Sequence, residues 1–150
     1  MGDMMNPYLD LMIDEIDLES VKEQLKKHEG FRPLPYEDTR GYLTIGYGTK
    51  LPITEEEAEM LLMKRLKDKA VLLAKKEPIF LTLPTSVKNA ILNMAYQMGI
   101  SGVLKFKKMW AALKEGDYEK AAEEMLDSRW AKQTPNRAKK LAEVVRNTYA

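Results

Sequence analysis

Apolar positions along the chain follow a helical period at both ends and a strand period in one short stretch between them. Leu9, Met12, Ile13 and Ile16 recur at the three- and four-residue spacing of a short amphipathic helix. Ser20-x-x-Glu23 forms a capping box, and Val21 and Leu25 continue an apolar stripe behind it, which predicts a second helix starting at Ser20. Gly30, in the stretch "HEG", supplies its stop. Pro33 and Pro35 exclude helix from 32 to 36 and predict an edge strand. Asp38-Thr-Arg-Gly41 reads as a type I turn. From Tyr42 to Tyr47 the period falls to two, with Leu43, Ile45 and Tyr47 on one strand face and Tyr42, Thr44 and Gly46 on the other. If the Leu/Ile/Tyr face is the buried one, Thr44 and the backbones of Gly46 and Gly48 face outward, where glycine admits a close ligand.

After this stretch the helical period returns. Thr54-x-x-Glu57 is a second capping box, and the stripe Ala58, Leu61, Leu62, Leu66, Leu72, Leu73 predicts one helix reaching about Lys75. From Pro84 three or four more helices are expected, punctuated by Gly99, Gly102, Gly116 and Pro135. Val87, Ile91, Met94, Val103, Trp110, Leu113, Met125 and Trp130 are dense enough for a helical core. The implied fold class is α+β and mostly helical: a small antiparallel β lobe at about 30–53, a linking helix at about 54–75 and a larger helical lobe at about 79–150. Residues 1–19 stand before this 20–150 domain as an acidic extension, and a cleft between two such lobes is a natural ligand site.

Composition narrows the chemistry. The chain has 150 residues, no cysteine and one histidine, His28, which excludes clustered His/Cys zinc sites and any Ser–His or Cys–His nucleophile. Acid–base work therefore falls to carboxylates. The amino terminus lacks a basic n-region and an apolar h-region, so no signal peptide is expected. No apolar run reaches the roughly 18–20 residues of a membrane span. Residues 1–19 carry six acids and no Lys or Arg, so a net charge of +1 overall leaves +7 on the remainder. A basic body favours an anionic partner. The absence of a basic–aromatic stripe argues against nucleic acid.

Two carboxylates, one holding its proton and one ionised, are what glycoside hydrolysis requires. Glu29 sits at a helix C-terminus, beside carbonyl oxygens that disfavour a carboxylate charge. Asp38 lies on a polar turn and suits the ionised role. A chain that is 31% charged contains many such pairs, and spacing alone does not single this one out. In "Thr134-Pro-Asn-Arg137", the arginine falls in a first helical turn, where a cation opposes the dipole and calls for an acid partner.

The stretches "HEGFRPLPYEDTRGYLTIGYG", "NMAYQMGISGV" and "SRWAKQTPNRAKKL" resemble the phage T4-type lysozymes, endolysins of glycoside hydrolase family 24, over residues 20–148. The family spacing Glu-x8-Asp-x5-Thr is matched by Glu29, Asp38 and Thr44. The resemblance implies Glu29 as general acid, with Asp38 and Thr44 holding the attacking water in an inverting hydrolysis. It further implies Arg137 as the partner of the acid and Tyr96 and Gln97 as cleft residues. Gly46, Gly48 and Lys50 complete the implied supporting set. Its implied substrate is bacterial peptidoglycan, cut between N-acetylmuramic acid and N-acetylglucosamine, with no metal or cofactor. A monomer is implied, held in the host cytoplasm until a holin-type pore admits it to the periplasmic wall. Departures lie at Thr49, where the family has histidine, at Lys50, Met109 and Glu124 in sugar-binding positions, and in a shorter segment between Leu51 and Thr54. Two alternatives stand beside this: a lytic transglycosylase using Glu29 alone, and a non-catalytic wall-binding or virion module.

Overall fold

A computed structural model of the protein describes residues 6–149. The first five residues of the acidic extension, Asp3 included, lie outside the described residues. The chain divides into two compact units, one up to Glu55 and one from Glu56.

The first unit opens with α1 (Pro7–Asp14), the short helix that the Leu9/Met12/Ile13 spacing predicts. Asn6 starts it, its side chain accepting the amides of Tyr8 and Leu9, and Pro7 fills the first helical position. Helix α2 (Leu18–Glu29) begins earlier than the Ser20 capping box predicts. Asp17 is the cap and accepts the Ser20 amide at 3.1 Å, so Ser20 lies inside the first turn. Asp outcompetes Ser here because its ionised oxygen also meets the positive end of the helix dipole. Gly30 ends the helix as expected and leaves Glu29 as its last residue.

Three strands follow, β1 (Arg32–Glu37), β2 (Leu43–Gly46) and β3 (Thr49–Lys50), in an antiparallel sheet of order β1-β2-β3. The proline-bearing β1 is an edge strand, as its missing amide donors require. The register pairs Tyr36 with Thr44 and Thr44 with Lys50. The burial expectation for β2 fails at Leu43, Tyr47 and Thr44, while Ile45 is half-buried. Leu43 is 53% exposed and Tyr47 is exposed, whereas Thr44 is 1% exposed. Alternation defines two faces without saying which is covered. Here Thr44 lies on the central strand, between its cross-strand partners Tyr36 and Lys50, which share its face.

The second unit holds the hydrophobic core. Helix α3 (Glu55–Lys76) starts directly after Thr54, but of its predicted stripe only Leu73 is fully buried. A 3-10 turn (Pro78–Thr82) leads to α4 (Thr85–Leu104), α5 (Lys107–Lys114), α6 (Tyr118–Leu126), α7 (Arg129–Gln133) and α8 (Pro135–Arg146). These are five helices rather than three or four. Gly99 interrupts α4 as expected, its φ of 85° and ψ of 161° setting a kink between two helical stretches. Gly102 remains inside α4 and does not punctuate. Leu73, Val87, Ile91, Met94, Val103 and Met125 are fully buried in the core, together with a set of buried alanines. Met109 also belongs to this core at 1% exposure, so its side chain is packing rather than a sugar contact.

Leu73 is the one fully buried residue by which α3 enters this core. Leu73→Ala is expected to cost about 2–5 kcal/mol, the range for a large cavity-forming core truncation, read as a lower urea midpoint with an unchanged slope.

Candidate active site

The residues singled out in the first unit are organised around two carboxylates. Glu29 projects from the last turn of α2 against Gly48, in the turn between β2 and β3. A Cβ at position 48 would lie 2.8 Å from the Glu29 carboxyl carbon and 2.8 Å from its Oε2. Gly48 also has φ +74°, which L side chains rarely adopt. The glycine is thus required twice, by backbone and by contact. Gly46 has no atom within 4 Å of a built Cβ and serves the turn alone.

Asp38 is held from three sides. The turn predicted at 38–41 forms, with the Gly41 amide donating to the Asp38 carbonyl at 3.0 Å. Asp38 Oδ1 accepts the amides of Arg40 at 2.9 Å and Tyr42 at 2.8 Å. Its Oδ2 accepts the Lys50 ammonium at 2.8 Å. The Lys50 hydrogen bond, followed by the Tyr42 amide, holds the Asp38 carboxyl below the ordinary range of an aspartate. Lys50 is raised in return, mainly by Asp38 and further by the charge of Glu29. Lys50 was expected at a sugar position, and its partner in the structure is Asp38.

Thr44 joins this network from beneath. Its Oγ1 donates to the Tyr42 carbonyl at 2.9 Å, and the Tyr42 amide is the group that holds Asp38. The outward-facing Thr44 of the sequence reading is corrected to a buried hydroxyl whose proton is committed to backbone.

Tyr96, Gln97 and Arg137 belong to the second unit and are described within it. Tyr96 is 42% exposed on α4. Gln97 accepts the Trp130 indole N–H through Oε1 at 2.8 Å, which fixes its amide. Arg137 donates to Asn93 Oδ1 through Nε at 2.9 Å and through Nη2 at 2.6 Å. Asn93 was not singled out from sequence, although it precedes Tyr96 and Gln97 by one helical turn and shares their side of α4. Glu124 is half-buried and lines a cavity of about 380 Å³ with Phe106, Met109 and Ser128.

Comparisons with known proteins agree with this reading at the level of family. The sequence model of the phage lysozyme family matches residues 26–147. A probable T4-type lysozyme 1 from Dictyostelium discoideum is 34% identical over 158 aligned residues, spanning 84% of this chain and 93% of that protein. The pre-baseplate central spike protein Gp5 of Enterobacteria phage T4 is 32% identical over 170 aligned residues, spanning 93% of this chain and 30% of Gp5. A probable T4-type lysozyme 2 from Dictyostelium discoideum is 31% identical over 157 residues, spanning 83% of this chain and 92% of that protein.

Gly48→Ala places a Cβ where the Glu29 carboxylate lies. It is expected to destabilise the protein by about 1–3 kcal/mol through the left-handed backbone alone, seen as a lower urea midpoint. It is also expected to move the Glu29 carboxyl resonance in a carbon-13 spectrum; an unmoved resonance would remove the contact.

Proposed function

The chain belongs to the phage lysozyme family, and from that premise we propose that it is a peptidoglycan hydrolase cleaving the β-1,4 bond between N-acetylmuramic acid and N-acetylglucosamine. One observation carries the reading: Glu29, at the end of α2, lies against the β2–β3 turn where Gly48 makes room for it, and Asp38, on the turn after β1, is paired with the Lys50 ammonium.

In this scheme Glu29 gives its proton to the glycosidic oxygen, and the departing sugar leaves as an alcohol. Asp38 receives a hydrogen of the attacking water. Glu29 and Asp38 thus divide acid and base work between an acid that gives a proton and an anion that takes one from the water. Thr44 enters mainly as a brace: its proton goes to the Tyr42 carbonyl, and only its oxygen lone pairs remain to meet the water. Attack from the face opposite the leaving oxygen inverts the anomeric centre. In the second unit, Tyr96 offers an aromatic surface to a sugar ring, and the fixed amide of Gln97 keeps its N–H₂ group as donor. Arg137, braced by Asn93, supplies a positive charge suited to a carboxylate. Access to the wall through a membrane pore made by another protein belongs to the same reading.

The likeness to Gp5 favours a second reading, a structural module of a phage particle that keeps the fold. The two part in one experiment. The wild-type chain is expected to clear permeabilised cells, with Glu29→Gln losing at least 10³-fold of that rate, on the order of what general acid–base catalysis supplies, while its circular dichroism stays unchanged. Asp38→Asn is expected to be severely impaired, and the first product to carry the inverted anomer. Absence of lysis by the wild type supports the structural module; 1,6-anhydro products indicate a transglycosylase.

A further inference from the structure

Lys50 has a partner in the structure other than the sugar its position led one to expect. Its Nζ lies 2.8 Å from Asp38 Oδ2 across twelve residues of sequence, and the ring of Tyr42 flanks the ammonium at 5.6 Å from its centroid. An ion pair between exposed groups contributes little to stability. What distinguishes this one is the acceptor count. A carboxylate has about four lone-pair sites, two on each oxygen. Two backbone amides fill those of Oδ1, and Lys50 takes one of Oδ2. One acceptor site is left.

We propose that Lys50 is a positioning residue for the hydrolysis, occupying half of Asp38 Oδ2 so that the water has a single place to dock. The inference rests on the hydrolase reading given above. The remaining lone pair of Oδ2 sets the direction along which a water can donate to Asp38, because rotating the carboxylate would break the hydrogen bonds donated by the Arg40 and Tyr42 amides together. The register that pairs Lys50 with Thr44 places the ammonium on the sheet face under which Thr44 is buried. Lys50 therefore ties β3 to the turn that carries the carboxylate. Within this unit Asp38 is faced by Lys50 and the two turn amides, and Lys50 by Asp38, Glu29 and Arg40.

The sign of the pH effect follows from the pair. A group whose folded pKa is depressed stays ionised, and keeps its contribution, until the pH falls through the folded value. Removing the ammonium raises that value, so function is lost at a higher pH on acidification.

The test compares wild type, Lys50→Met and Lys50→Arg. Methionine keeps the length of the side chain without the charge, and arginine restores the charge. The Asp38 carboxyl is followed by carbon-13 titration, assigned by its absence in Asp38→Asn, alongside the rate of peptidoglycan cleavage from acid to neutral pH. Lys50→Met is expected to raise the Asp38 titration midpoint and to move the acid limb of kcat upward by the same interval, with a several-fold loss of rate on that limb. KM changes little, and Lys50→Arg returns both midpoints toward wild type. An unmoved acid limb in an active Lys50→Met overturns the proposal, as does a rise in KM with kcat unchanged, which makes Lys50 a sugar contact. A uniform loss at every pH with an unmoved titration makes it only structural and likewise overturns it. No cleavage by the wild type rejects the hydrolase reading and this proposal together, which separates the two failures.

Discussion

The carboxylate of Asp38 is the joint on which the β unit turns. One oxygen gathers the amides of Arg40 and Tyr42 and so closes the turn after β1; the other takes Lys50 and so anchors β3. Thr44, on the strand between, is bonded to the other side of the same Tyr42 residue. A three-stranded sheet with short strands has little apolar area to bury, and among the described residues of this unit Thr44 alone is fully buried. Polar contacts therefore set the geometry here to a degree that hydrophobic packing does not. Charged partners strengthen such hydrogen bonds and fix direction as well as distance.

The helical unit is built on the opposite principle. Its buried residues are almost wholly aliphatic, methionine, alanine and tryptophan, and the few polar bonds that enter it finish side chains that packing has already placed. The Trp130 indole reaching Gln97 is one such case, and the Trp110 indole reaching the Val103 carbonyl at 3.0 Å is another. Both satisfy a buried N–H that would otherwise be costly. Gln97 and Arg137 are thus held by a rigid scaffold, while Glu29 and Asp38 are held by hydrogen bonds and a close backbone approach.

Much of this was legible from residues alone, and the exceptions have physical causes. The helix stop at Gly30, the edge character of the proline strand and the turn at 38–41 each follow from local backbone chemistry, and each is present. The start of α2 was misplaced by three residues because two good caps, Asp17 and Ser20, lie one turn apart and only one can cap. A glycine inside a helix and a glycine between helices look alike in sequence, and Gly99, Gly102 and Gly116 have three different fates: a kink, a helix interior and a helix end. Met109 looked like a substituted sugar contact and is core, since nothing local to a methionine distinguishes the two.

By itself the sequence determined the chemistry that was open to this protein. Without cysteine and with one histidine, the chain pointed to carboxylates for acid–base work; Glu29 at a helix end and Asp38 on a turn were candidates among many until the family resemblance singled them out. Periodicity is a property of neighbouring residues, so it also determined where the chain coils and where it extends. Only the tertiary structure decided which face of β2 is covered, that Lys50 serves Asp38 from twelve residues away, and that Asn93 braces Arg137 from forty-four residues away. Those outcomes depend on strand register and on helices meeting in space, where the partner of a charge is chosen by distance between side chains rather than by position along the chain.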